Sequence, residues 1–316
     1  MKRYIIILIP FCYFLAAEGQ SVLLMQDYPD QPVLMNPATC GADLIPKAAI
    51  GYEKQWLGIS RSPSSFYVSG ELRPGRYDFY NPRMFINDTR LRNAERVGLG
   101  AGVYTDTNGP FRETDILLTY SYHIPLTERT ALSFGITAKL NHYGVNHSEI
   151  NPIVIDDPLI NFEPCTRGNT SIGAYISNNE YYAGISAVNL LNSASDQQFY
   201  ALSNRILFGN CGYRFRNETG SVILEPSLAL KYMMTDGSLL PDFHIKLYAL
   251  NYGWINFSYI DKSLMRIVLA LRIYKSCYFA YKYAFTVSGM GTYHRNTHGI
   301  MLGMNLGVNR YTTNVK

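Results

Sequence analysis

Histidine and acidic residues stand at three places in the chain where their types could bind a metal ion. These are His142 with His147, Asp156 and Asp157 with Glu163, and His294 with His298. The first pair misses the four-residue spacing that brings two imidazoles to one face of a helix, and the other groups fall in predicted loops or at a strand end. Solvated loop residues explain these groups better than a cation site does, so we predict no metal.

Motifs for catalysis or nucleotide binding give no stronger signal. The chain contains no G-x-S-x-G, S-x-x-K or H-E-x-x-H pattern. The segment Gly98-Leu-Gly-Ala-Gly102 resembles part of a dinucleotide loop, but Val103 occupies the position of the third glycine. Close packing on the inner face of a strand explains glycines at every second position better. We therefore predict a protein that is not an enzyme, with no catalytic residues and no cofactor.

The longest regular pattern is a pair of amphipathic strands between residues 115 and 142. One face of the first strand carries Ile116, Leu118, Tyr120, Tyr122 and Ile124, and the other carries Asp115, Leu117, Thr119, Ser121 and His123. The run 130–142 repeats this alternation. A period of two over ten or more residues predicts a strand, and a tilted strand of that length crosses a bilayer. An apolar face backed by a polar face predicts lipid outside and a polar lumen inside.

The same unit recurs along the chain. Fourteen strand-like runs are predicted, at 47–56, 63–72, 96–106, 113–124, 130–142, 168–178, 180–188, 204–215, 220–233, 240–250, 252–260, 264–273, 276–286 and 297–308. We predict an all-β fold, a transmembrane antiparallel β-barrel of about 14 strands over residues 47–308. A soluble β-sandwich also alternates, but only 16% of the residues are charged and the runs are long for a sandwich.

Charged side chains fall on the face that is predicted to line the lumen. They are Lys139, Arg205, Glu225, Lys231, His244, Lys246, Arg266, Arg272 and Lys282. Such residues either line a pore or form a paired polar core that plugs a narrow barrel, and the sequence leaves both open. A charged side chain that faced lipid at the midplane of the bilayer would cost about 2–4 kcal/mol.

Composition and the amino terminus indicate export. Lys2 and Arg3 precede a short apolar run, which predicts a signal peptide over residues 1–19. The net charge of +4 is too small to indicate a nucleic-acid partner. Cys40 and Cys165 could form a disulfide in an oxidising compartment, although their spacing alone does not establish one.

An even number of strands places both termini of the barrel in the periplasm. Residues 20–46 are then predicted to form an N-terminal periplasmic extension, and 309–316 a polar C-terminal tail. Residues 73–95 are the one long periplasmic connection, and form either a polar insertion packed under or into the barrel or a docking surface for a periplasmic partner. The candidate docking residues are Arg76, Tyr80, Arg83, Phe85 and Arg90.

Short motifs follow one another in order along nearly the whole mature chain. Their positions include Asn36, Pro37, Ala38, Gly41, Gln55, Trp56, Gly98, Gly100, Tyr120, Tyr122, Pro226, Lys231, Thr297 and His298. Their joint order and spacing resemble the PorP/SprF family of outer-membrane proteins of the type IX secretion system in Bacteroidota. Two features depart from the family pattern, since the 73–95 connection is longer and the chain ends in a polar tail.

The resemblance implies a 14-stranded barrel, similar in build to outer-membrane fatty-acid channels, in the outer membrane of a Gram-negative bacterium. It implies a non-enzymatic role in type IX protein secretion, in surface attachment of cargo or in gliding motility. The implied partners are outer-membrane lipids, the secretion machinery with its periplasmic lipoproteins, and a secreted cargo protein or its C-terminal domain. Loops 143–167 and 189–203 would contact cargo. The alternative is an outer-membrane channel or porin for a small solute.

Overall fold

The computed structural model of the chain describes residues 29–74, 77–78, 96–146, 163–191, 205–218, 221–249, 252–261, 264–274, 276–287, 296–305 and 308–309. It is a closed antiparallel β-barrel of 14 strands, which confirms the predicted fold class. None of the described residues belongs to a helix long and apolar enough to span a membrane.

The strands follow the predicted runs closely. They are β1 Lys47–Lys54, β2 Ser64–Leu72, β3 Val97–Asn108, β4 Phe111–Pro125, β5 Ala131–Val145, β6 Cys165–Ser177, β7 Tyr181–Val188, β8 Ile206–Tyr213, β9 Val222–Met233, β10 Leu239–Ala249, β11 Gly253–Ile260, β12 Leu264–Tyr274, β13 Cys277–Thr286 and β14 Thr297–Asn305. Phe215–Arg216 prolongs β8 and pairs with β9. Each strand pairs with the next one in sequence, and β14 pairs with β1 to close the barrel.

Side chains alternate between the outer and inner faces as the sequence predicts. On β4, the side chain of Leu118 is 62% exposed, whereas that of Thr119 is 6% exposed. The outward side chains are mostly Ile, Leu, Phe, Val and Tyr, which suit contact with lipid, and the inward ones include most of the charged residues of the strands.

The two ends of the barrel differ in the length of their connections. The connections 126–130, 178–180, 250–252 and 275–276 define a short-turn end, and the connections 146–164, 189–205 and 287–296 define a long-loop end. At the long-loop end, β3 and β4 are joined by the tight turn Asn108-Gly109-Pro110, in which Gly109 has a φ of +58°. A positive φ of this size favours glycine because a Cβ would be strained there.

The part of the predicted N-terminal extension that the structure describes, residues 29–46, lies inside the short-turn end of the barrel. We name residues 29–46 the plug. The plug contains two 3-10 helices, Pro32–Leu34 and Pro37–Thr39. Proline at the first helical position and the Asn36 side chain, which accepts a hydrogen bond from the Ala38 N–H, favour the second helix locally.

The last strand of the barrel is shorter than predicted. The run 297–308 ends as a strand at Asn305, and Val308–Asn309 pairs with Tyr77–Asp78 in a separate two-stranded sheet. Alternation of side chains continues past Asn305 in the sequence, but it carries no information on which partner a segment pairs with. Sequence periodicity therefore extended the strand too far.

Candidate functional site

The plug sits on a row of small side chains that crosses five consecutive strands. The row is formed by Gly98, Ser121, Gly135, Gly173 and Ser186, and each of these residues lies opposite the next in the strand register. A Cβ added at Gly135 would lie 2.3 Å from the carbonyl carbon of Pro37, and one at Gly173 would lie 2.1 Å from Asn36 Oδ1. The row therefore provides the space that the plug backbone occupies.

Asn36 makes the most extensive polar contacts of the plug. Its side chain is buried, and its Nδ2 donates to the carbonyls of Ala174 at 3.1 Å and Ile185 at 3.4 Å. Its Oδ1 accepts from the Ala38 N–H at 3.0 Å. One buried amide thus joins the plug to β6 and β7. Removing it would leave buried polar groups without hydrogen-bond partners, which lowers stability.

A second contact holds the carbonyl of Cys40. Ser121 Oγ donates to this oxygen at 2.7 Å and His123 Nε2 lies 2.9 Å from it. Because a carbonyl can only accept, Nε2 carries a proton, and Nδ1 lies 2.7 Å from the Ser133 hydroxyl. All three side chains are buried. The arrangement makes the histidine a hydrogen-bond donor to the plug, in a structural role.

Apolar side chains of the plug complete the core of the lumen. Met35 joins a buried cluster that includes Ile206, Phe208 and Met233. Leu34 packs against a second cluster built around stacked Tyr67 and Tyr104, and Ala38 packs with Tyr175 and Tyr182 in a third. The plug therefore contributes to all three of these inner clusters.

Ionic contacts tie the plug to opposite walls of the barrel. Lys246 on β10 approaches Asp30 at 3.4 Å. Lys47 at the start of β1 pairs with Asp43, and the Glu71 carboxylate on β2 accepts from the Gly41 N–H at 3.0 Å. The charge of Lys47 lowers the pKa of Asp43 to about 2. Ionised Asp43 is therefore the form that favours the docked plug.

Further ion pairs fill the lumen nearer the long-loop end. Lys231 is fully buried and contacts Asp242 at 2.9 Å and Asp261 at 2.8 Å. Arg266 pairs with Glu53 at 2.6 Å, and Lys139 pairs with Asp115 at 3.1 Å. Of the two arrangements that the sequence left open, the described part of the chain shows a paired polar core together with a plug.

A cavity of about 140 Å³ remains between the plug and the barrel wall. Its lining comes from the plug and from strand residues near the short turns, among them Arg214, Lys246, Trp254 and Tyr278. The site that the structure brings together is thus a plugged mouth with a cavity of mixed polar and apolar lining beside the plug.

The sequence-predicted motif positions are spread over several parts of the barrel. Asn36, Pro37, Ala38, Gly41, Gly98 and Gly100 belong to the plug or to the wall against it. Lys231 is in the lumen and Pro226 lies on β9, while Tyr120 and Tyr122 face outward. Gln55, Trp56, Thr297 and His298 lie at the long-loop end. The candidate docking residues Arg76, Tyr80, Arg83, Phe85 and Arg90 lie outside the described residues.

Two of the candidate metal ligands are hydrogen-bonded to hydroxyl groups. His142 bonds to the hydroxyl of Thr166 at 2.8 Å and His298 contacts the hydroxyl of Tyr281 at 2.5 Å. His147, Asp156, Asp157 and His294 lie outside the described residues. Among the residues that the structure describes, no three His, Cys, Asp or Glu side chains are grouped to hold a metal ion.

The possible disulfide between Cys40 and Cys165 is absent, and both residues are free cysteines. Cys40 is buried in the plug near the short turns, whereas Cys165 begins β6 at the long-loop end. Burial raises the pKa of the Cys40 thiol, which makes it unreactive while the plug is docked.

Sequence reasoning missed the residues that hold the plug, namely Glu71, Ser121, His123, Ser133 and Ser186. Their separations from the plug exceed what local patterning reports, since Ser121 lies 81 residues from Cys40. A usable signal was present in the row of glycine and serine on neighbouring inner faces, which becomes visible once the strands are placed in register.

A closed antiparallel barrel with an apolar outer face and a polar, plugged interior defines an integral outer-membrane protein. The chain belongs to the family described as type IX secretion system membrane protein PorP/SprF, whose model matches residues 17–304. This confirms the resemblance found in the sequence. The family is one of secretion components and not of enzymes.

Solved outer-membrane barrels are similar to this chain at low sequence identity. The toluene transporter TbuX of Ralstonia pickettii is 9% identical, with a TM-score of 0.47 over 85% of this chain and 92% of that one. Omp33 of Acinetobacter baumannii is 6% identical, with a TM-score of 0.48 over 83% and 99%. Outer membrane phospholipase A of Escherichia coli is 9% identical, with a TM-score of 0.41 over 86% and 98%. No curated protein matches the chain.

Proposed function

We propose that this chain is a non-enzymatic, plugged scaffold of the type IX secretion system that docks secreted cargo and periplasmic partners, including lipoproteins of the machinery. The observation that supports this function over solute conduction is the plug, which occupies the short-turn mouth through hydrogen bonds that Asn36 donates and that the Cys40 carbonyl accepts. The paired charges in the lumen add to the support.

The docking surfaces lie at the two ends of the barrel. Loops 143–167 and 189–203 contact cargo, or its C-terminal domain, outside the cell. Residues 73–95 contact periplasmic components and contribute Arg76, Tyr80, Arg83, Phe85 and Arg90. Apart from the buried Arg73, four arginines and an aromatic cluster in this segment favour an acidic partner surface with exposed apolar groups. This docking serves protein secretion, cargo attachment or gliding.

Planar-bilayer recording of the purified protein separates this function from a channel. The proposed scaffold gives no steady conductance and co-purifies with periplasmic proteins, and a clean deletion abolishes surface display of one or more cargo proteins. A steady open pore that is indifferent to cargo would support the channel, and normal cargo display in the deletion would reject the scaffold.

Charge reversal tests the periplasmic surface directly. We expect the combined variant Arg76→Glu, Arg83→Glu and Arg90→Glu to lose co-purifying periplasmic proteins while the barrel still folds. Arg129→Glu, in the exposed turn 126–130, is the matched control and should keep those partners. Equal loss in both variants would argue against a specific docking surface in residues 73–95.

A further inference from the structure

The cavity beside the plug is built around two strand residues that point to one kind of ligand. Trp254 and Asn256 lie on the inner face of β11, two positions apart, and both line the cavity. The plug residues Pro29, Asp30 and Asp43 form the facing side. The remaining lining residues come from the plug and from strand segments, including Arg214 and Tyr248 near the short turns.

The charged groups that line the cavity already have partners. Lys246 contacts Asp30 and the carbonyl of Pro29 at 3.3 Å. Arg214 Nε donates to Glu225 at 2.7 Å, and Lys47 lies between Asp43 and Glu71. Each cation in the lining therefore faces at least one carboxylate, and the cavity does not require a charged ligand for compensation.

Trp254 and Asn256 each carry one neutral polar atom that has no hydrogen-bond partner among the described residues. These atoms are Nε1 of Trp254, a donor, and Oδ1 of Asn256, an acceptor, and both are buried. Asn256 as a whole is 1% exposed. Buried polar atoms without partners are uncommon because each one loses the hydrogen bonds it makes in water.

Both side chains are held in place by their neighbours. The Nδ2 of Asn256 donates to Ser258 Oγ at 3.1 Å, and Ser258 also bonds His244 Nδ1 at 2.8 Å. The amide nitrogen of Asn256 therefore has a partner, whereas its oxygen has none among the described residues. The Trp254 ring packs edge-on against Tyr278 at 4.7 Å and carries Lys246 Nζ 4.9 Å from its centre. These contacts hold the donor on Trp254 and the acceptor on Asn256 in place, two positions apart on the same strand face.

We propose that this cavity binds an uncharged amide, either a peptide unit or an Asn or Gln side chain, presented by a partner polypeptide. Trp254 Nε1 donates to the amide oxygen, and Asn256 Oδ1 accepts from the amide N–H. The Cα atoms of residues two apart on one strand face are separated by about 7 Å, so Trp254 and Asn256 border the same small cavity. An amide offers one acceptor and one donor, each able to form a hydrogen bond of about 2.9 Å. The polypeptide source of the amide rests on the proposed function.

Fluorescence of Trp254 provides the test, since the chain has two tryptophans and Trp56→Phe leaves Trp254 as the only one. The refolded variant in detergent micelles is titrated with N-acetylglycine N-methylamide, which carries backbone amides, and with propionamide, which represents the side-chain source. Acetate and ethylammonium are charged probes of similar size. We expect a saturable change in Trp254 emission with at least one amide, and none with the charged probes at the same concentration.

Asn256→Leu removes the acceptor at similar volume, and we expect it to weaken amide binding at least tenfold. Asn217→Leu, in an exposed turn outside the cavity, is the matched control and should bind as the parent does. Heat-modifiable migration in gels reports folding of each variant. If Asn256→Leu does not refold, Trp254→Phe removes the N–H donor together with part of the ring, and saturation-transfer NMR of the amide probe must then show lost binding.

Three results would overturn the proposal: no saturable response to either amide, unchanged binding in a folded Asn256→Leu variant, or stronger binding of acetate or ethylammonium. None of these results bears on the plugged scaffold itself, because conductance, co-purification and cargo display do not depend on Trp254 or Asn256. Failure of the amide site and failure of the proposed function are therefore distinguishable.

Discussion

Substitution of Gly135 by alanine should release the plug, because its new Cβ meets plug backbone and not a flexible side chain. That Cβ would lie 2.3 Å from the carbonyl carbon of Pro37 and 2.4 Å from the nitrogen of Ala38. Ordinary contacts between such atoms are about 3.5–4.0 Å, so the plug must retreat by about 1 Å or more. Overpacking of this kind costs about 1–3 kcal/mol, which raises the population of the undocked plug by about 5- to 150-fold.

The buried thiol of Cys40 reports this opening. In protein lacking residues 1–19, with Cys165, Cys211 and Cys277 replaced by serine, maleimide labels only Cys40. We expect labelling in detergent micelles to accelerate in Gly135→Ala by the same 5- to 150-fold factor. Its rate in the parent is low because Cys40 is 0% exposed.

Gly168→Ala is the matched control, since the same change on β6 meets nothing within 4 Å. It should label at the parental rate. Unchanged labelling in Gly135→Ala, or equal acceleration in Gly168→Ala, would refute the reasoning that the small-residue row holds the plug.

Three other perturbations test the remaining contacts. Asn36→Ala removes hydrogen bonds to β6 and β7, and should speed Cys40 labelling by an amount equivalent to about 1–3 kcal/mol; parental labelling would contradict the buried contacts. Lys231→Met leaves two carboxylates without their cation, and should lower barrel stability by about 3–5 kcal/mol in urea unfolding followed by tryptophan fluorescence; an unchanged midpoint would contradict this. Because the pKa of Asp43 is lowered from 3.8 to about 2, its stabilisation of the docked plug is present above about pH 4 and is lost as the pH falls through 2. Pepsin cleavage within residues 29–46 should therefore increase between those pH values, and Asp43→Asn should remove this dependence; an unaltered profile in the variant would assign it to another group.

The barrel was predictable from the sequence because each strand carries its own signal. Alternation on β4 and β5 indicated strands of membrane-crossing length, and on β4 it placed Thr119, Ser121 and His123 on the inner face, where all three are buried. The alternation also predicted that charged strand residues face the lumen, and Lys231 and Arg266 do so. Strand limits were less certain, because periodicity does not report where pairing with a neighbour stops, as the end of β14 at Asn305 shows.

The location of the plug was not predictable from periodicity because its contacts are long-range. Asn36 bonds to residues 138 and 149 positions away. The predicted role of Gly98 as a site of close packing on an inner strand face is consistent with the structure, but the packed groups include the Cys40 carbonyl of the plug as well as the Ser121 hydroxyl of β4. A glycine in one strand has many explanations. Five small residues in register across neighbouring strands have far fewer explanations. Such a row leaves one layer of the lumen without side chains, and an unfilled layer destabilises a packed barrel unless another segment occupies it. In this chain the turn-rich segment before β1 is short, lies at the correct end and contains the buried Asn36-Pro37-Ala38, so strand register and the glycine row together identify the plug that neither identifies alone.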